Sequence, residues 1–543
     1  MEIRSVVRTP QQLLPELDAP PASTGWRDSS AEREAQTCRE SDIFQGAPKT
    51  RQGIELDKLP EDMLHHIHSL MPVKDAGRAA CVSKRFLHSW RCYSNLKLNK
   101  RTLGLIGDKF EGSEIYHINK VDQILNSYSK NGMKVKSLQL DLFHCSSVSA
   151  FHLDRWLRIA LKSGIKELSF LLSRSMKEEY CFPCSVLFDE QAASSIEHLN
   201  ISKCTFQPME TLGYFERLKS LDLFCVRITE EGLWKLLSKS FSLERLEIFS
   251  CNEIICLKMP CTLQKLNLLI VTSRQKIQVI DISAPNLFTF HYVGFPPEIY
   301  IGDSSQLTEV HLSSLYPSRI ISYGRHHQYN SNSAKLPSVA SNVERLTLLS
   351  YGENANTPML PDKLLHLKSL KIVLNGSGPY SPVYDTFSLA SFLDASPALE
   401  SFILCVSHYS CLLDIYGKTK RNAIIHCYDA GGDAYLRGKS AYQHDHLKRV
   451  MIAGFRSAKS LIKLVIHILE SAPSLERLTL DTTPGGHGRK LGDTSICSAA
   501  RMWALEEANR AVEAASRYII GRVPSTIEFE VLEPCRQCHT GNR

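Results

Sequence analysis

The chain has 543 residues, 43% hydrophobic and 22% charged, the balance of a folded soluble protein rather than a disordered one. That length exceeds one ordinary compact domain unless the domain grows by repetition. Sixty-four Lys and Arg against 57 Asp and Glu leave a formal charge of +7, too diffuse for the concentrated basic face of a dedicated nucleic-acid binder.

The first segment, MEIRSVVRTPQQLLPELDAPP, lacks an apolar h-region, so no secretory signal is expected. No stretch approaches the roughly 18 consecutive apolar residues that span a bilayer. Seventeen cysteines are scattered along the chain, several inside apolar runs such as Cys225 in LDLFCV and Cys405 in FILCV. Buried free thiols of a reducing compartment fit that pattern better than a disulfide framework, which points to the cytoplasm and/or nucleus. Residues 1–53, rich in Pro, Ser, Gln, Glu and Arg without an apolar period, read as a disordered arm.

Residues 54–100 punctuate themselves as three short helices. Pro60 suits a first helical position, with Glu61 and Asp62 at the positive end of the dipole. Leu64, Ile67, Leu70 and Met71 share one face, and Pro72 ends the helix. Asp75 is placed to cap a second helix running to Cys81, and Ser83 a third carrying Phe86, Leu87 and Trp90. Helices this short bury too little to be stable alone, so the module needs a surface to lean on.

A helical linker, 101–134, leads to a recurring pattern over residues 135–482: apolar, two variable, apolar, one variable, apolar. Copies include VKSLQL from Val135, IKELSF from Ile165, LKSLDL from Leu218, LERLEI from Leu243, LQKLNL from Leu263 and LERLTL from Leu475. About thirteen occur at a mean step of roughly 28 residues, within the leucine-rich-repeat range. Each unit predicts a short strand with alternate residues inward. Neighbours must stack into a solenoid, parallel strands on the concave face and helices on the convex face, an α/β fold overall. Gly232–Ser240 and Leu389–Pro397 read as convex helices, and long steps after Leu312 and Leu404 as inserted loops. Residues 483–543 read as a capping unit and tail: a PGGHG turn, a helix over Ala499–Ile520, and a last strand, TIEFEVL.

In that register the groove-facing column is Gln139, Ser169, Asn200, Asp222, Glu247, Asn267, His291, His311, Thr347, Lys371, Ile403, Met451 and Thr479. Its mixed character suits a protein partner rather than a phosphate backbone. Asp222, Phe224, Glu247 and Phe249 are candidate substrate contacts, the two Phe rings serving either as an exposed anchor or as edge packing.

Other signals are weaker. Cys535-Arg-Gln-Cys538-His539 spells a haem-attachment motif but lies in the tail, and its distance along the solenoid from Cys181 and Cys184 argues against a shared zinc site. His65, His66 and His68 read as solvated or partner-facing, and His444–His446 and the GRHHQY run at 324–329 as surface loops. No phosphate loop, nucleophile elbow or Cys/His dyad sits in a suitable context, so no catalytic residue, metal or cofactor is expected.

The span LPEDMLHHIHSLMPVKDAGRAACVSKRFLHSW resembles an F-box of the plant F-box/leucine-rich-repeat family, and SPALESFIL and SAPSLERLTLD resemble that family's C-terminal repeats. Phe86 stands where the family often has Trp. The resemblance implies a substrate receptor of a Skp-cullin-F-box ubiquitin ligase: the F-box meets a Skp-type adaptor and through it a cullin, while the repeats hold a target protein. Leu59, Pro60, Leu64, Ile67, Leu70, Pro72, Val82, Ser83 and Trp90 then become the adaptor-binding set. The ten Lys or Arg against five Asp or Glu between Arg51 and Arg101 suit an acidic adaptor. The alternative is a repeat scaffold or ligand sensor that recruits no ligase. Neither reading calls for nucleic acid or a membrane.

Overall fold

The computed structural model describes residues 59–105, 114–187, 194–208, 213–313, 342–351, 363–376, 385–408, 443–482 and 502–533, apart from positions 174, 177, 276 and 303. The expected arm, both inserted loops, the PGGHG turn, the GRHHQY run, Cys535, Cys538, His539 and the Val82 side chain lie outside the described residues. No helix among them is long and apolar enough to cross a membrane. Residues from Asp57 onward form one compact unit.

Three helices open it: α1 (Glu61–Leu70), α2 (Val73–Val82) and α3 (Lys84–Arg91). Pro60 and Pro72 occupy the N-caps of α1 and α2, where the missing N–H costs nothing. Asp75 therefore lies in the first turn of α2 and does not cap it, because Pro72 starts the helix three residues earlier than the sequence pattern indicates. Ser83 does cap α3, its Oγ accepting from the Phe86 N–H at 3.5 Å.

His68, expected to be solvated or partner-facing, is fully buried between the helices. Its Nε2 lies 3.0 Å from the Ala76 carbonyl, which can accept and not donate, so Nε2 carries the proton. Nδ1 must then accept from the Ser89 hydroxyl at 2.8 Å, and that same oxygen accepts from His65 Nδ1 at 2.8 Å. One relay thus pins α1 to α2 and α3. Burial lowers the His68 pKa from its ordinary value, which keeps the ring neutral.

The helices lean on the chain immediately C-terminal to them. Trp90 stacks on Tyr93 with centroids 5.3 Å apart and meets Tyr128 edge-on at 6.2 Å. Tyr128 is buried on α4 (Glu114–Lys130), and its hydroxyl donates to the Tyr93 carbonyl at 3.0 Å. The Tyr93 hydroxyl in turn donates to the Met71 carbonyl.

The remainder is a solenoid. Fifteen strands form one parallel sheet in which spatial order is chain order. They are β1 (Asn95–Leu98), β2 (Ser137–Asp141), β3 (Glu167–Leu171), β4 (His198–Ser202), β5 (Ser220–Phe224), β6 (Arg245–Phe249), β7 (Leu268–Thr272) and β8 (Thr289–Val293), then β9 (Glu309–Ser313), β10 (Arg345–Tyr351), β11 (Ser369–Gly376), β12 (Ser401–His408), β13 (Arg449–Ala453), β14 (Arg477–Asp481) and β15 (Glu528–Leu532). Alternate residues, such as Leu221 and Leu223, Leu246 and Ile248, or Leu478 and Leu480, point inward and are at most 2% exposed.

Three features depart from the sequence reading. β1 precedes the first recognised repeat and pairs Leu96 with Leu138, so the solenoid begins inside the segment assigned to the helical module. The LQKLNL copy is displaced by three residues: β7 aligns Leu268 with Arg245 and Ile270 with Glu247, so LNLLIV, from Leu266, is the working repeat. Asn267 leaves the groove column and Ile270 takes its place. Leu263, Leu266, Leu269 and Val271 are all fully buried, which is why both registers looked alike.

The convex face is also mixed. Helices α5 (Ala150–Lys162), α6 (Glu230–Ser238), α7 (Ala390–Ala395), α8 (Lys459–Ser471) and α9 (Met502–Tyr518) lie on some of the return paths. From β6 to β9 the strands begin 20–23 residues apart, too few for a helix and its turns. The return paths there are the strands Cys256–Lys258, Val279–Ile282 and Glu298–Ile301, joined in a second parallel sheet.

Leu246 is fully buried at the centre of this stack. Leu246→Asp places a carboxylate where nothing pairs with it and should cost about 3 kcal/mol or more. Urea denaturation checks this: the midpoint should fall sharply, and a wild-type midpoint contradicts the register.

Candidate protein-interaction surfaces

The first surface lies on the helical module. Leu70 is 72% exposed, Met63 49% and Leu87 42%, large apolar side chains offered to solvent on a unit whose own core is closed. Pro60 and Pro72 are exposed beside them, and Leu59, Ile67 and Ser83 half-buried. Leu59 is fixed through its carbonyl, which accepts from the Arg85 guanidinium at 2.5 Å.

Two members of the expected adaptor-binding set face elsewhere. Leu64 is 3% exposed and belongs to the core of the three helices. Trp90 is half-buried and packs on Tyr93 and Tyr128, so it anchors the module to the solenoid. Met63 and Leu87 stand outside the expected set, although they are exposed apolar residues like its member Leu70. An exposed apolar residue leaves no periodic signal of its own.

The second surface is the concave sheet. In the observed register Asp222 stands beside Glu247, and Phe224 beside Phe249. Arg245 ties the acids together, its Nε 3.6 Å from Asp222 Oδ1 and a terminal nitrogen 2.6 Å from Glu247 Oε2. Burial raises the Asp222 pKa to about 6 against the opposing pull of Arg245. The Phe224 and Phe249 rings stack 4.3 Å apart and 9° from parallel. Phe249 is buried, Phe224 stays half-exposed, and the Lys203 amino group lies 4.6 Å over Phe143 and 6.0 Å over Phe224.

Further along, His291 and His311 sit side by side on β8 and β9, centroids 5.2 Å apart. Burial pushes His311 down to about 4, helped by His291, so the pair stays neutral at pH 7. The groove is therefore polar but nearly free of uncompensated charge in its middle third.

Such a fold is a repeat-built solenoid with a short helical module at one end. Residues 56–97 match the F-box domain, and residues 124–536, three quarters of the chain, match the family described as At1g61320/AtMIF1, LRR domain. Among curated relatives, the F-box/LRR-repeat protein At5g02910 of Arabidopsis thaliana is 26% identical over 297 residues, 54% of this chain and 59% of that protein. The F-box/FBD/LRR-repeat protein At1g13570, also of Arabidopsis thaliana, is 20% identical over 435 residues, 79% of this chain and 91% of that protein. This chain belongs to the F-box/leucine-rich-repeat protein family. At family level that pairing of domains goes with a ubiquitin-ligase adaptor role, generally a non-catalytic one, in which the F-box binds a Skp-type adaptor.

The raised Asp222 pKa has a testable sign. A carboxyl group with a folded pKa near 6 and an ordinary value of 3.8 contributes stability below about pH 4 that is lost as pH rises through 6. Asp222→Asn should remove that slope. Melting temperatures of the two proteins between pH 4 and 7 should diverge in the variant's favour as pH rises, and parallel curves contradict the assignment.

Proposed function

We propose that this chain is the substrate-recognition subunit of a Skp-cullin-F-box ubiquitin ligase. Its F-box meets the adaptor through Leu59, Pro60, Met63, Leu70, Pro72 and Leu87, and its repeats hold a target protein for ubiquitin transfer. The observation that carries the reading is the apolar set Met63, Leu70 and Leu87 standing exposed beside Leu59 and Pro60 on a module otherwise packed shut. Ile67 and Ser83 border that patch, and the basic excess between Arg51 and Arg101 favours approach to an acidic partner. Leu64 acts indirectly, by holding α1 in shape.

The target site is assigned to the concave face around Asp222, Phe224, Glu247 and Phe249, with Lys203 at its margin. The stacked pair offers a rigid flat anchor, and Asp222, Glu247 and Arg245 offer hydrogen bonds already oriented by one another. The chain itself would contribute no catalytic group and no cofactor. Eleven described cysteines are free thiols, which suits a cytoplasmic and/or nuclear protein.

Leu70→Asp and Trp90→Ala separate the roles. Leu70→Asp should weaken capture of a Skp-type adaptor about tenfold or more while leaving the melting temperature unchanged. Trp90→Ala should loosen the module on the solenoid by about 2 kcal/mol, read as faster hydrogen exchange in α3. Undiminished adaptor capture by Leu70→Asp, measured by interferometry on the full chain, overturns the surface assignment.

A further inference from the structure

Three polar side chains meet on the convex side, away from both docking surfaces, and neither surface uses them. Asp394 lies near the end of α7, His467 in the middle of α8, and His444 three residues before Leu447, the residue that opens the β13 repeat. Their side chains are 16%, 10% and 5% exposed. His444 Nε2 stands 3.6 Å from Asp394 Oδ1, and His467 Nε2 stands 4.0 Å from the same oxygen. The three ligand atoms all fall within 4.8 Å of one another.

Among the described residues, each of these three atoms is buried without a hydrogen-bond partner. The separations are too long for a hydrogen bond, and leaving three converging polar atoms unsatisfied in one spot is costly. A tetrahedral zinc ion about 2.0–2.1 Å from each atom would hold them about 3.4 Å apart, so the ligands must draw in slightly from separations of 3.6 and 4.0 Å to Asp394. Two imidazoles and one carboxylate are a borderline-soft set that suits zinc over calcium or magnesium.

The ligands are also fixed before any ion arrives. The His444 N–H donates to the Ser471 carbonyl at 2.7 Å, and the His444 carbonyl accepts from Leu447. His467 packs edge-on against Phe387 at 5.6 Å. The Asp394 carbonyl accepts from Lys363 Nζ at 2.7 Å. Lys363 opposes a cation, whereas Asp445 beside His444 and Glu470 one turn from His467 favour it.

We propose that Asp394, His444 and His467 form a three-ligand zinc site that clamps α7 to α8 and to the chain entering β13. The three protein ligands come from three successive return paths, those after β11, β12 and β13, and a water completes the tetrahedron. Nothing in the residue pattern announces a metal, because the three positions are 50 and 23 residues apart and follow no ligand spacing. The ion would tie together three successive repeats, on both sides of residues 409–442.

The test uses the full chain in complex with its adaptor, stripped with a chelator and titrated with zinc or with cobalt. The wild type should take up about one zinc per chain at this site and melt at a higher temperature when loaded. Its cobalt form should show the visible d–d bands of a tetrahedral ion without the near-ultraviolet charge transfer of thiolate ligands, which separates the site from the cysteines. Asp394→Asn and His467→Gln keep size and polarity, so both should fold and retain adaptor binding. Each should lose affinity about a hundredfold, since altering even a supporting residue of a metal site costs about 10–100-fold. No uptake by the wild type overturns the proposal, as do equal uptake by both variants and a cobalt spectrum dominated by thiolate.

Discussion

No strand of this protein can cover its own inward side chains, and the structure follows from that. Each strand presents two apolar residues to the interior, and only the strands before and after it close them off from water. The consequence is a core without internal boundaries, running from Leu96 through Leu246 to Leu480. The F-box is drawn into the same scheme. Val73 and Ala76 join the core at its first strand, and Trp90, Tyr93 and Tyr128 seal the corner. Three helices too short to stand alone thereby acquire the support they lack. At the far end β15 is less covered, with Phe529 and Val531 half-buried, as befits the last unit of an open stack.

The same constraint divides the chemistry. Inward positions are committed to large apolar and aromatic residues, Leu, Ile, Val, Phe and at one place Tyr292, so variation that matters to a partner is displaced to the groove column and the return paths. The groove spends its charges internally: Arg245 between Asp222 and Glu247, Lys203 over Phe143 and Phe224. A partner meeting this face encounters oriented donors, acceptors and rings rather than a bare field of one sign. The return paths carry the remaining chemistry, including the convergence of Asp394, His444 and His467.

Much of this was legible from residue spacing, because the inward rule leaves a periodic trace. Twelve of the thirteen expected strands keep the register read from the leucines, and the remaining one, LQKLNL, fails for an identifiable reason. Leucines at 263, 266 and 269 are all buried, so period alone cannot choose among them. What left no trace is anything that depends on where two distant segments meet. His68 looked like a surface histidine until Ala76 and Ser89 were seen to satisfy both its nitrogens. His444, read as a loop residue, is 4% exposed because α8 lies over it. Trp90 fits the F-box pattern equally well whether it faces an adaptor or the solenoid; Tyr128, almost forty residues on, decides it. The convex sheet likewise follows from the short steps between strands from β6 to β9.

The central claim is that one end of the molecule recruits and the concave sheet selects. Hydrogen–deuterium exchange of the full chain, with and without a saturating Skp-type adaptor, tests it most directly. The account predicts added protection confined to the segment from Leu59 to Arg91, strongest around Met63 and Leu70, with β4 to β9 unchanged. Protection appearing on those concave strands, with none on α1 to α3, would contradict it.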